Sequence, residues 1–241
     1  MEIEGKRVLI SGAGRGLGRT LVAAFVNAGA NEVLAGTRKQ NDRDSLLHDF
    51  PARVTPVQLD VTSDSDVAAV TQLGPIDILI NNAGIAGFGN PLTMNFSDVQ
   101  DELGVNYLGV LRLTRAVTPG MIAQRDGMIV NVATAFAKVN LPLVGTYCAS
   151  KAALLSLGQA LRAYLADDGV RVITVMPTTF DSDMSRGANV PKMTKEFVAG
   201  EILAAIREEH NDPPIGDEAK GVLDGLRTDP LNLEKTLMNY K

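Results

Sequence analysis

The sequence has a single cysteine, Cys148, and only two histidines, His48 and His210, among 241 residues. One thiol excludes an intrachain disulfide, and two histidines far apart in charged surroundings leave a metal site short of ligands, so no metal is expected. Basic residues are too few for a nucleic-acid surface: 23 Lys and Arg stand against 28 Asp and Glu, for a net charge of −5, and no basic tract occurs. No run of 18 apolar residues occurs, which argues against a membrane-spanning helix. The opening Met-Glu-Ile-Glu-Gly-Lys lacks the basic start and long apolar stretch of a secretory signal. The expectation is a cytoplasmic protein with no nucleic-acid and no membrane partner.

What is present suits one core. With 45% hydrophobic and 21% charged residues and no internal linker or repeat, residues 1–241 read as a single domain. Short apolar runs at Arg7 to Ile10, Glu32 to Gly36, Val54 to Leu59, Ile76 to Ile80, Met128 to Ala133 and Val170 to Met176 alternate with helical-period segments. Runs without strict polar alternation suit strands covered on both faces, and strand–helix alternation implies right-handed crossovers. The fold class is α/β, a doubly wound parallel sheet with helices on both faces. The two longest helical stretches are Ser97 to Gln124 and Tyr147 to Asp167. Beyond Glu208, Asp212-Pro213-Pro214 and a polar tail predict one edge strand and a short helix.

Three local patterns carry chemistry. Directly after the first strand comes Ser11-Gly12-Ala13-Gly14-Arg15-Gly16-Leu17-Gly18, and a helix follows. Glycines let the backbone approach a pyrophosphate whose charge the helix N-terminus favours; a plain tight turn is the alternative. The second strand ends Gly36-Thr37-Arg38 with no carboxylate at its tip. An acidic residue there binds a ribose 2′-hydroxyl, whereas the fork of Arg38, with Arg15 closing on the same group, suits a 2′-phosphate. Two solvated surface arginines are the alternative. Third, Tyr147 and Lys151 stand one helical turn apart, so an ammonium on the same side as a phenol would lower its pKa by stabilising phenolate; two unrelated surface residues at helical spacing are the alternative.

Together with Asp60-Val61, Asn81-Asn82-Ala83-Gly84, Asn106 and Pro177, these motifs occur in the order found in short-chain dehydrogenases/reductases, which the chain resembles over about Lys6 to Ala205. The resemblance implies a Rossmann-type NADP(H) site. It assigns Gly12, Arg15, Gly16, Leu17, Gly18, Thr37 and Arg38 to the phosphates and ribose. Asp60 and Val61 fall to the adenine edge, and Asn82, Ala83 and Gly84 to its ribose. Pro177, Phe180 and Ser182 fall to the nicotinamide. Tyr147 becomes the general acid–base, its pKa brought from roughly 10 to about 7 with help from Lys151, which also bonds the nicotinamide ribose. Asn106 holds a water between Lys151 and solvent.

Two positions depart from the family pattern. Thr134 stands where a serine is usual, thirteen residues before Tyr147, and Thr178 stands where glycine usually follows Pro177. Thr134 keeps the hydroxyl and adds a methyl; Thr178 adopts positive φ less freely than glycine. Phe88, Phe136, Leu141 and Met184, with Asn140 as a polar contact, are expected to line a pocket for an uncharged, apolar ketone or aldehyde. The reading is an NADP(H)-dependent carbonyl reductase working as a homodimer. The alternative is a catalytically weak NADP(H)-binding regulatory or scaffold protein.

Overall fold

The computed structural model describes residues 1–187 and 189–240. Within them the strands are β1 (Arg7–Ser11), β2 (Glu32–Thr37), β3 (Val54–Gln58), β4 (Ile78–Asn81), β5 (Gly127–Val132), β6 (Val170–Pro177) and β7 (Pro214–Ile215). All pair in parallel in the order β3-β2-β1-β4-β5-β6-β7. The order reverses between β1 and β4, so a crevice opens beyond the carboxyl ends of these two strands, where ligands of such sheets bind.

The strands are apolar throughout because both faces are covered. In β1, Val8 and Ile10 join one core and Leu9 the other; in β4, Ile78 and Ile80 join the first and Leu79 the second. The period of two sends successive side chains to opposite faces. On the first face pack α1 (Gly16–Asn27), α2 (Gln40–Asp49) and α7 (Lys195–Glu208), contributing Leu21, Phe25, Leu46, Ile202 and Ile206. On the second lie α3 (Asp64–Val70) and α5 (Val110–Gln124), with Val67, Val70, Leu113 and Met121.

The predicted helix Ser97 to Gln124 is found as α4 (Phe96–Leu103) and α5, joined by one π-helical stretch, Gly104–Gly109, centred near Asn106. Such widened turns concentrate at functional sites. Gly109 is needed there for space, since a Cβ would lie 2.6 Å from Val61 Cγ2. The other long helix, α6 (Gly145–Leu165), continues into a short 3₁₀ turn, Ala166–Asp168, as the reading to Asp167 implies.

The tail differs from expectation: β7 is followed by two helices, α8 (Asp217–Thr228) and α9 (Pro230–Leu237). The signal for the second is Asp229-Pro230. The Asp229 carboxylate accepts from the Asn232 N–H, and Pro230 stands in the first turn, where its missing N–H costs nothing.

Candidate active site

The glycine turn sits at the crevice and is held by its neighbours. The Ser11 hydroxyl accepts from the N–H groups of Asn82 and Ala83, each at 3.1 Å, and the Asn82 side-chain amide donates to Ser11 O at 3.0 Å and Gly12 O at 3.2 Å. The side chain of Asn82 thus braces the turn across the β1–β4 switch. Gly12 and Gly16 have φ of 67° and 55°, a region that favours glycine. Leu17 is buried beneath the turn, and Arg15 at the start of α1 makes no side-chain cap, so among the described residues the first N–H groups of α1 have no capping side chain. A Cβ on Gly18 would stand 2.1 Å from Gly12 O. Gly18→Ala is therefore expected to displace the turn, at about 1–3 kcal/mol for overpacking. Titration with NADP(H) is expected to show at least tenfold weaker binding; unchanged affinity would refute this placement of the turn.

The corner beyond β2 gathers charges of both signs. Thr37 is buried and its hydroxyl donates to Lys39 O. Arg38 is exposed, with Nη1 3.9 Å from Asp60 Oδ2. Asp60 Oδ1 accepts from the Thr62 N–H and hydroxyl, while Val61 is buried against the π-helical turn. Arg15 pairs with Asp183 from the loop after β6 rather than with Arg38's neighbours. One residue was not foreseen: a Cβ on Gly14 would lie 2.5 Å from Asp42 Oδ2, which puts a carboxylate against the glycine turn. Asp42 lies on α2, where an acidic first turn reads as ordinary dipole complementarity.

Lys151 and Tyr147 are together at the mouth of the sheet. Lys151 is 4% exposed, and its Nζ donates to Val132 O at the end of β5, at 2.8 Å, and lies 5.9 Å from the centre of the Tyr147 ring. A Cβ on Gly84 would meet Asn106 Oδ1 at 3.2 Å and Lys151 Nζ at 3.4 Å, so these groups converge on one point. Asn106 is fully buried and both ends of its amide are used. Oδ1 accepts from Ile85 N–H at 3.0 Å; Nδ2 donates to Ile85 O at 2.8 Å and Ser150 Oγ at 2.9 Å. Its side chain pins the loop after β4 to α6. The Ser150 hydroxyl in turn donates to Tyr147 O.

Here the expectation for the phenol is corrected. Burial pushes the Tyr147 hydroxyl far up, with the neighbouring Cys148 and the carboxylate of Glu102 adding to the rise, and burial draws Lys151 down to about 8. Desolvation disfavours both charged forms and here outweighs attraction between them. Spacing reveals the pair but not the dryness of its surroundings. Cys148 itself is a buried free thiol whose pKa burial also raises.

Thr134 is buried at the end of β5, where its Oγ1 accepts from Phe136 N–H at 3.3 Å; the hydroxyl proton is left available to donate. Thr178 needs no positive φ, contrary to the concern its type raised, because among the described residues the non-glycine positive φ values are those of Arg125 and Glu209. Its hydroxyl is buried with no partner among the described residues, just beyond Pro177, the last residue of β6. Phe180 bridges to Met193, and its carbonyl accepts from Ser185, whose hydroxyl also meets that of Ser182 at 3.2 Å.

Phe136 and Leu141 pack with Tyr147 in one apolar cluster, joined by Leu233 and Leu237 of α9, residues absent from the expected wall. Asn140 ties its loop to α6 by donating to Gly145 O, and Met184 and Phe88 are exposed at the rim. A cleft of about 400 Å³ opens beside the loop after β4, between Phe88, Met94 and Glu102. A second hollow of about 320 Å³ lies away from these residues, around Val70, Gly74 and Pro119.

The chain is similar to known proteins over most of its length. The family model described as short chain dehydrogenase matches residues 6–192. A 3-oxoacyl-[acyl-carrier-protein] reductase of Thermotoga maritima is 33% identical over 210 residues, 84% of either chain. An L-xylulose reductase of Bos taurus is 34% identical over 215 residues, 88% of this chain and 87% of its own. A crystal structure of a short chain dehydrogenase from Burkholderia cenocepacia in complex with NADP superposes with a TM-score of 0.93 at 36% identity, covering 98% of this chain and 99% of that one. Motif order, sheet topology and these matches agree: the chain belongs to the short-chain dehydrogenases.

Proposed function

We propose that the protein is an NADP(H)-dependent reductase of ketones or aldehydes, with alcohol oxidation as the reverse. The observation that carries this reading is the buried Lys151 ammonium facing the Tyr147 ring beside the glycine cradle. The residues present fit a dinucleotide. The turn has no room for a Cβ at Gly18, the leading N–H groups of α1 have no side-chain cap, and Thr178 offers a buried hydroxyl without a partner. Gly12, Gly16 and the start of α1 would hold the pyrophosphate, Arg38 and Arg15 the 2′-phosphate, and Lys151 the nicotinamide ribose. When bound, NADPH supplies the hydride.

The chain's own residues supply the proton. A phenol held protonated by burial is the correct form for reduction, where Tyr147 gives its proton to the carbonyl oxygen as charge develops there. The Thr134 hydroxyl donates to the same oxygen. Lys151 stabilises the phenolate left behind, and solvent returns the proton. The apolar wall of Phe136 and Leu141 excludes water from the step.

The test is a carbonyl panel read by NADPH oxidation. A second reading, cofactor binding without useful turnover, draws on the upward push on Tyr147 and on the extra methyl of Thr134. Tight NADPH binding with no turnover across the panel would decide for it. Cofactor choice has its own test. Arg38→Ala is expected to weaken NADPH at least tenfold while changing NADH little, and Asp42→Asn, by removing a carboxylate from the turn, to tighten NADPH a few-fold. Equal losses for both cofactors in Arg38→Ala would overturn the 2′-phosphate assignment. The reading includes a cytoplasmic location and a homodimer, the latter supported by exposed Phe96 and Leu103 on α4 and Leu108 in the π-helical stretch after it. Sedimentation of the purified chain checks the dimer.

A further inference from the structure

The mechanism leaves one buried charge-bearing group unused. Glu102 on α4 is 1% exposed; its Oε1 accepts from the Gly87 N–H, and its Oε2 has no hydrogen-bond partner among the described residues. An orphaned carboxylate oxygen is costly and uncommon in native structures, and each one asks for an occupant. The Glu102 side chain forms part of the wall of the cleft of about 400 Å³. Asp98 and Asp101 stand exposed on the same wall, and the lining carries no Lys or Arg. Among the described residues none of the three carboxylates is in an ion pair, and no three metal-ligating side chains gather to hold a metal ion.

The cleft is bonded to the segments that carry the reacting phenol. Its loop begins at Ile85, which Asn106 pins beside Lys151, and Gly89 N–H donates to Leu143 O just ahead of α6. Met94, half-buried, receives the Thr146 hydroxyl at its sulfur, one residue before Tyr147. The tip of Met94 and Glu102 Oε1 meet at Gly87, where a Cβ would lie 2.5 Å from Met94 Cε and 3.2 Å from that oxygen. The thioether, unbranched and adaptable, is thus the movable side of the cleft next to the carboxylate.

We propose that this cleft is a substrate subsite for a cationic nitrogen, so that the preferred carbonyl compound carries an ammonium group which pairs with the free oxygen of Glu102 under the field of Asp98 and Asp101. The inference rests on the carbonyl-reductase reading and narrows it, replacing an uncharged apolar substrate by a cationic one. A polyhydroxylated neutral substrate would use the orphaned oxygen as well, but gains nothing from two further unpaired carboxylates at the rim.

The experiment has two arms. In the first, butylammonium and 1-butanol are titrated by calorimetry into the NADP-loaded protein, so that binding is read without turnover. Wild type is expected to bind the cation at least tenfold more tightly than the alcohol. That ratio is expected to fall toward one in Glu102→Gln, which keeps an acceptor for Gly87, and several-fold in the surface double variant Asp98→Asn/Asp101→Asn, whose fold does not depend on a buried site. Equal binding of the two probes to wild type overturns the proposal. In the second arm, a butanone ended by an ammonium is compared with the same ketone ended by a hydroxyl. Turnover of both with equal kcat/KM overturns the subsite and leaves the reductase reading standing. Turnover of neither, with selective butylammonium binding, overturns the reductase reading and leaves the subsite.

Discussion

Replacing Tyr147 with phenylalanine is expected to lower ketone reduction by about 10²–10⁴-fold, the range set by losing a positioned proton donor. NADPH affinity is expected to stay within about threefold, because the glycine cradle, Arg38 and Lys151 do not depend on the phenolic oxygen. The ring is half-buried in the cluster of Phe136, Leu141 and Val144, and phenylalanine keeps that packing. Stability is therefore expected to hold or rise slightly, since a desolvated hydroxyl is removed. Steady-state kinetics paired with equilibrium titration separates the effects. A variant that retains a tenth of wild-type kcat would sink the assignment of Tyr147 as the acid.

The second large effect concerns stability. Lys151→Met is expected to stabilise the cofactor-free protein at pH 7 while abolishing useful turnover. Burial lowers the lysine from its ordinary 10.5 to about 8, which at about 1.36 kcal/mol per pH unit makes the charged form cost roughly 3 kcal/mol. Losing the bond to Val132 O offsets about 1 kcal/mol, leaving a net gain of about 2 kcal/mol, or roughly 4–8 °C in Tm. The sign fixes a pH signature. Between pH 8 and 10.5 the unfolded chain holds a proton on this lysine that the folded chain has lost, so wild-type stability rises as pH rises through that window. Above pH 10 the raised Tyr147 works the other way, because the unfolded chain ionises first. Denaturation from pH 7 to 10 is expected to show the rise in wild type and its loss in Lys151→Met. Parallel curves would place the ammonium in water rather than in the core.

How far these features were legible varies with how local their cause is. The strand runs, the glycine turn and the Tyr147/Lys151 spacing were visible because apolar period and backbone chemistry are written in neighbouring residues. The direction of the Tyr147 shift was not, since it depends on burial in a cluster assembled from segments distant in sequence. Asp42 and Glu102 each look like the polar face of a surface helix. Only the approach of Gly14 to one, and of Gly87 to the other, sets them apart, and both approaches join segments distant in sequence. Asn106 was found by motif, yet its amide is spent on Ile85 and Ser150. The second tail helix is not legible because its cap, Asp229-Pro230, has the look of a chain break within a polar stretch.

The two helices at the chain's end have a consequence for how such proteins diversify. The matched family region stops at residue 192, and the residues placed in phosphate binding and proton transfer all precede it. Leu233 and Leu237, which join the apolar cluster that includes Tyr147, lie outside it, as does Tyr240, whose carbonyl accepts from Leu143 N–H. The stretch beyond the matched region thus adds to the apolar cluster around the phenol without supplying a group to the reaction. Relatives that share every motif named above but differ beyond residue 192 are expected to differ in the part of this apolar cluster that α9 adds.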